Sequence, residues 1–346
     1  MSSEVERRLE KLLDGCERRG SCLHPGESCD RQALARRTGE GGSIFSPARG
    51  LYVKAKTWDG LDEGEKSLWL MRGLQSMHPD WTFCGPSAAL AYGADVSYEL
   101  LRPLHVAAPG RSWSNGSALV RRHLLLPECP EDDPVWVRGV RVTTLSRTTF
   151  DCLRWMSFRE AMPVADMALR GRPGFACELE RYFGRLRGRC SGVDRALRTL
   201  SYADGRSENG GESIARAVMV EHGYVLPLLQ VEVPNPLDPG HVFRVDFVWR
   251  RADGAIIIGE CDGRRKLFDP EMTRGRTPEQ VLADQRSREG LLTAYNVTVM
   301  RFTFEEAREE TGLLRKLELY GVPKIGTMLA PSSEVVPPDW PHLLRT

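Results

Sequence analysis

The sequence predicts a mixed α/β protein of several domains, an α+β arrangement in chain order, and three observations carry that expectation. Apolar residues recur at helical spacing over 5–19 and 62–78, as amphipathic helices require. Short apolar β-prone runs follow, around Leu104–Ala107, Ala118–His123 and Val140–Thr144. Beyond a polar, glycine-containing stretch at 204–211, whose composition suggests a linker, the order from there to about residue 305 is helix, strand, strand, strand, helix, strand. A chain of 346 residues is long enough for two or three separate cores. The expected divisions are 1–55, 56–200, 204–320 and a tail over 321–346.

The first element places Val5, Leu9, Leu12 and Leu13 on one face of a helix. Asp30 caps a short second helix with Ala33, Leu34 and Ala35, and a glycine run leads to Ser46-Pro47-Ala48-Arg49-Gly50 and the strand Leu51-Tyr52-Val53. Helix, helix, basic turn and strand is the skeleton of a small winged helix-turn-helix. Arg31, Arg36, Arg37 and Arg49 are its candidate phosphate contacts, since DNA affinity is carried largely by cations on phosphates. Cys16, Cys22, His24 and Cys29 are four potential zinc ligands within fourteen residues. Their spacing departs from the paired short gaps of structural zinc sites, and unligated thiols are the expected state.

The middle region opens on the 62–78 helix, with Leu68, Leu70, Met71, Leu74 and Met77 expected inside, and continues through the small-residue helix entered at Cys84-Gly85-Pro86. His105 and His123 are single strand histidines with a structural role expected. Ser146-Arg147-Thr148-Thr149-Phe150-Asp151 begins a helix, and Asp166 lies in the next. Arg181, Arg185, Arg187, Arg189, Arg195 and Arg198 crowd one stretch. Such a cluster suits either a solvated helix face or a phosphate patch.

The net charge of +1 provides no global attraction to nucleic acid. No run approaches the roughly 18 apolar residues of a membrane span, so no membrane partner is expected. The charged start Met1-Ser2-Ser3-Glu4-Val5-Glu6 lacks a signal-peptide core. Nine cysteines among apolar neighbours suit reduced thiols in the cytoplasm.

The chemistry concentrates in the last domain. Asp246 lies inside Arg244-Val245-Asp246-Phe247-Val248-Trp249, and the next apolar run, Ala255-Ile256-Ile257-Ile258-Gly259, ends in Glu260-Cys261-Asp262-Gly263. Acidic residues are depleted in strands and rarely buried without a partner, so three at the ends of two strands suggest a shared cation. Register decides whether they meet. A two-residue turn at Asp253-Gly254 pairs Asp246 with Cys261. A three-residue loop with Gly254 left-handed pairs it with Glu260, and this second register is expected. Val245, Phe247 and Trp249 would then share the opposite, apolar face, matched by Ala255, Ile257 and Cys261. Thr277, Pro278 and Gln280 form a capping-box helix start, and Val281, Gln285, Arg288 and Leu292 share one face of that helix.

This order, with acid on the second strand and Glu-x-Asp closing the third, resembles the core of the PD-(D/E)XK nuclease superfamily, specifically its very-short-patch-repair-like branch. The resemblance covers roughly 204–305, through Gly205-Arg206-Ser207-Glu208, Glu212-Ser213, Arg216, Arg244-Val245-Asp246-Phe247, Glu260-Cys261-Asp262-Gly263, Arg288-Glu289 and Val299-Met300-Arg301-Phe302. Upstream, Arg49-Gly50-Leu51-Tyr52-Val53, Ser87-Ala88-Ala89, Val142-Thr143-Thr144, Arg147-Thr148 and Asp151 resemble the AbiEi-type antitoxin and transcriptional-regulator family. Two departures stand out. The superfamily's lysine two positions after the glutamate is Asp262 here, and the branch's histidine six positions after it is Lys266.

The resemblance implies Mg²⁺- or Mn²⁺-dependent cleavage of DNA. Asp246, Glu260 and Asp262 would be metal ligands, and Glu212 would complete the acidic cluster. Lys266 would steady the phosphate, Gln285 or Arg288 would position water or phosphate, and Arg264 and Arg265 would contact the backbone. The alternative it implies is a DNA-binding regulator or antitoxin, with a cognate toxin as partner and the nuclease-like domain as scaffold.

Overall fold

The structure, a computed structural model, describes residues 3–39, 41–108, 118–125, 132–251, 253–262, 277–324 and 338–344. It is a mixed α/β protein with three sheets among those residues. The chain divides into two compact units, Met1–Trp155 with Cys177–Ala196, and Met156–Ala176 with Leu197–Thr346. The stretches 1–55 and 56–155 therefore belong to one unit. Cys22, Leu51 and Val53 share a core with Trp58, Leu70, Leu74 and Phe83, so the N-terminal elements are not a separate body. The segment 156–176, assigned from the sequence to the middle region, belongs to the second unit.

In the first unit, α1 (Ser3–Arg18) and α2 (Ser28–Ala35) pack with the antiparallel hairpin β1 (Ile44–Ala48) and β2 (Leu51–Lys54). Leu9, Leu13, Leu34, Ile44 and Tyr52 form their core. Next come α3 (Ala55–Asp59) and α4 (Glu63–Met77). A capping box between Asp62 and Glu65 starts α4. Within it Leu70, Met71 and Leu74 are buried, whereas Leu68 and Met77 are only half-buried.

The sheet of this unit takes β3 (Thr82–Phe83), β4 (Leu104–Ala108), β5 (Val120–Leu124), β6 (Val135–Val137) and β7 (Val140–Val142) in the order β5-β4-β3-β7-β6. α5 (Gly85–Tyr92) and α6 (Leu145–Trp155) pack with it, and α8 (Phe175–Arg185) contributes Phe183 against Phe150. His105 and His123 are partners rather than single residues. Their rings stack, with His123 Nε2 3.0 Å from His105 Nδ1, and Trp155 stacks on His123. Strand separation in sequence hid the pair, because β4 and β5 lie side by side in parallel register with Ala107 opposite His123.

The second unit is built on α7 (Phe158–Leu169) and α10 (Gly210–Glu221), with α9 (Val193–Ser201) at the division between units. Asp166 of α7 is fully buried and pairs with Arg216 of α10 at 2.8 Å. Arg216 also donates to Tyr202 O and Ser207 Oγ, and Asp204 N donates to Asp166. The glycine- and serine-containing stretch read as a linker is thus a packed part of this unit, held by buried polar bonds that its composition does not advertise.

The sheet that follows contains β8 (Leu228–Asn235), β9 (Asp238–Arg250), β10 (Ile256–Asp262) and β11 (Val297–Thr303) in the order β11-β10-β9-β8. β9 pairs antiparallel with both β8 and β10, and β10 pairs in parallel with β11. A parallel pair needs a crossover, which α11 (Pro278–Leu292) belongs to, capped by Thr277 and Gln280 as anticipated. α12 (Phe304–Glu309) and α13 (Thr311–Leu319) follow.

One face of the sheet carries Phe247, Trp249, Ile257, Cys261 and Phe302 against α10 residues Ala215, Val218 and Met219. The other carries Val231, Val245, Val248, Ile256 and Ile258 with Leu292, Tyr295 and Trp340. Trp340 comes from the C-terminal tail. Its 338–344 segment docks on this face, where Asn296 N donates to Leu343 O. Among the described residues no helix is long and apolar enough to cross a membrane.

Candidate functional site

The β9–β10 connection sets the site. Ile256 pairs with Arg250, Ile258 with Val248 and Gly259 with Phe247, while Arg251 N donates to Ala255 O across the turn. Gly254 has φ +86°, so the left-handed glycine of a three-residue loop fixes the register. That register leads toward Asp246 opposite Glu260. The ladder stops one rung short, at Gly259–Phe247, and Asp246 Oδ2 accepts from Cys261 N at 2.8 Å. A side-chain carboxylate stands here where a strand carbonyl would otherwise accept.

The reason lies in the neighbouring strand. Gln230, between the rungs Leu229–Phe247 and Val231–Val245, has φ +52°. A left-handed non-glycine residue costs roughly 1–2 kcal/mol. Its effect is to turn the strand over. Leu229 packs with the α10-side core and Val231 with the opposite one, and on β9 Phe247 and Val245 divide in the same way. Strict alternation would place each pair on one face. Val245 therefore does not share a face with Phe247 and Trp249, contrary to the sequence expectation. Asp246 and Gln230 occupy the rung where the sheet changes sides.

Glu212 reaches the same spot from the first turn of α10. Its N–H is capped by Asn209 Oδ1 at 3.0 Å, and its carboxylate accepts from Glu208 N at 2.8 Å and from the Asn209 side chain. The helix start can sit this close because residue 211 is glycine. A Cβ there would lie 3.3 Å from Cys261 Sγ and 3.2 Å from the Phe304 ring. Gln230 Nε2 donates to Glu212 Oε2 at 3.1 Å and makes a long contact of 3.5 Å to Asp246 Oδ1.

Glu212 is 1% exposed and Asp246 7%. Burial, then the charge of Asp246, push the Glu212 carboxyl up to about 7, against the opposing pull of Glu208 N–H and Gln230. None of these influences is a cation. Two buried carboxylates in this state need a proton or a positive ion between them, so the donor set fits a hard divalent ion held by one or two carboxylates.

The remaining predicted acids are engaged otherwise. Glu260 pairs with Arg288 of α11 at 2.7 Å, and the same guanidinium donates to Arg244 O. Asp262 takes a two-pronged bond from Arg301 at 2.6 and 2.8 Å, and Arg301 also holds Glu289 at 3.0 Å. Gln285 is half-buried on α11, three residues before Arg288. Lys266, Arg264 and Arg265 lie outside the described residues.

Glu212 and Asp246 are thus brought together, whereas Asp246, Glu260 and Asp262 do not converge. Among the described residues the one group of three or more ligand-type side chains within 4.8 Å of one another is Glu27, Cys29 and Asp30. That group is crossed by Arg8, which pairs with Asp30 and with Glu27. Cys16 and Cys22 are buried in apolar cores, where burial pushes the Cys22 thiol up to about 12. His24 Nδ1 lies 3.2 Å from Gly50 O. Of the candidate DNA contacts, Arg31, Arg36 and Arg49 are exposed, and Arg37 is paired with Glu6 at 3.0 Å.

Sequence reasoning missed Gln230 and the Arg301 clamp. A single amide in the apolar run Leu228-Leu229-Gln230-Val231 was the available signal for the first. The second is a contact between parallel strands, where Arg301 stands in register with Glu260.

No family model matches the chain, and no solved structure matches it. Uncharacterized proteins from two strains of Mycobacterium tuberculosis are each 36% identical to it over 113 residues. That stretch is 33% of this chain and 41% of each relative, so the chain spans less than half the length of the curated relatives it matches.

Proposed function

We propose that the second unit is a PD-(D/E)XK-like nuclease domain that hydrolyses DNA phosphodiesters with Mg²⁺ or Mn²⁺. The observation that carries this reading is the buried Glu212–Asp246 pair at the rung where the sheet turns over. Such a concentration of negative charge costs folding free energy, and sites that tolerate that cost are commonly functional. A divalent ion bound there would activate water and offset charge building on the phosphate.

The chain's own groups supply the rest. Asp246 and Glu212 would hold the ion, and Glu260 would be available to it only with Arg288 drawn away. Arg288 is then free to take a phosphate oxygen, for which a planar guanidinium is well suited. Asp262, fixed by Arg301, contributes through charge rather than direct ligation. Lys266 steadies the phosphate and Gln285 orients water. Nicking of supercoiled plasmid, with Mg²⁺ and with chelator, tests the reading. Activity should require the ion and vanish in Asp246→Ala and Glu260→Ala, and equal nicking by both variants would refute it.

The ion pairs of Glu260 with Arg288 and Asp262 with Arg301 favour a second reading. The arginines would have replaced the cation permanently, leaving a scaffold. The helix–helix–hairpin start of the first unit, winged-helix-like in order, would then bind DNA through Arg31, Arg36 and Arg49 as an AbiEi-like regulator or antitoxin with a toxin partner. Metal-independent, salt-sensitive retention of the protein's own upstream DNA would favour that reading.

A further inference from the structure

We propose that Gln230 is the positioning residue of the site, a side chain kept at a conformationally costly point of β8 to hold the Glu212 and Asp246 carboxylates on one cation seat. The inference rests on the reading in which those two carboxylates bind the divalent ion.

Its backbone is left-handed at φ +52°, a conformation that glycine adopts freely and other L-residues adopt at a cost. Turning the strand over is a backbone task, and glycine would perform it better. A glutamine there needs a purpose for its side chain, and outliers of this kind cluster where function over-determines the conformation. The side chain has one: its Nε2 lies 3.1 Å from Glu212 Oε2 and 3.5 Å from Asp246 Oδ1. Those carboxylates come from a helix start and a strand on different elements. Each is otherwise oriented by donors of its own surroundings, Glu212 by Glu208 N and the Asn209 side chain and Asp246 by Cys261 N. Among the described residues Gln230 is the side chain that donates to Glu212 and also makes the long contact to Asp246. Groups that orient metal ligands in this way typically contribute roughly 10–100-fold to metal affinity.

Calorimetric titration of the full chain with Mg²⁺ separates the possibilities, using wild type, Gln230→Gly and Gln230→Met. Gln230→Gly relieves the backbone and removes the amide, so it should keep or raise its unfolding midpoint while losing about tenfold or more in Mg²⁺ affinity. Gln230→Met matches the length without the donor and should lose affinity similarly, which keeps the test valid if the glycine variant folds poorly. In plasmid nicking, both variants should need correspondingly more Mg²⁺ for half-maximal rate, with the rate recovering at high Mg²⁺. Wild-type affinity in both variants would overturn the positioning role while leaving the nuclease reading intact. Absence of Mg²⁺ binding by wild type would overturn both.

Discussion

Replacing Glu212 by Gln should flatten the pH dependence of stability. The Glu212 carboxyl is held at about 7 in the folded protein against an ordinary value of 4.5, a difference of about two and a half units. At about 1.4 kcal/mol per unit, the linked free energy is roughly 3 kcal/mol. The folded value lies above the unfolded one, so the folded state binds the proton more tightly. The associated stability is complete below pH 4.5 and is lost as pH rises through 7. Wild type should therefore lose roughly 3 kcal/mol from this group over that window, and the neutral variant should not. Gln also changes the bonding to Glu208 N and Asn209, but that offset does not vary with pH and drops out of the comparison. Urea unfolding of both proteins from pH 4.5 to 8, followed by tryptophan fluorescence, gives the difference directly. Saturating Mg²⁺ should diminish it, because a cation favours the ionised carboxylate. A difference that stays constant across the range would refute the assignment of a shared, buried negative charge.

Other consequences can be measured independently. Asp166→Ala leaves Arg216 buried without its counter-ion and should cost roughly 3–5 kcal/mol in denaturant unfolding. Gly259→Ala would place a Cβ 2.8 Å from the Trp249 ring and 3.1 Å from Phe247 Cβ. Overpacking of that kind should lower stability by about 1–3 kcal/mol, with a changed Trp249 environment in near-ultraviolet circular dichroism. His105 and His123 are both pushed down to about 4, by burial first and then by neighbouring positive charge. Their folded values lie below the unfolded ones, so the first unit should lose stability as pH falls from about 6.5 toward 4. His123→Phe should reduce that acid sensitivity.

Local chemistry was legible in the sequence. Gly254 after Asp253 fixed the three-residue loop and the register, and Thr277, Pro278 and Gln280 fixed the start of α11. Alternation predicted the face shared by Phe247, Trp249, Ile257 and Cys261. It failed at Val245, which pairs with Val231 just past the left-handed Gln230, where β8 breaks its period at one residue. The carboxylate clamps were hidden for another reason. Arg288 and Arg301 lie 28 and 39 residues from Glu260 and Asp262, and nothing local selects those partners. Asp262 looked like a metal ligand because its fixed arginine belongs to the next parallel strand. Composition likewise suggested a linker at 204–211, where Ser207 is fully buried under Arg216 and Arg170.

Mg²⁺ binding by wild type and Asp246→Asn, compared calorimetrically at pH 7.5 in two buffers of different ionisation enthalpy, bears most directly on the claim that the turned-over rung holds a cation. Wild type should bind and release protons, since the ion displaces the proton retained by Glu212 near pH 7. Asp246→Asn should bind far more weakly. Equal binding by the two proteins, or heat that does not depend on the buffer, would contradict the account.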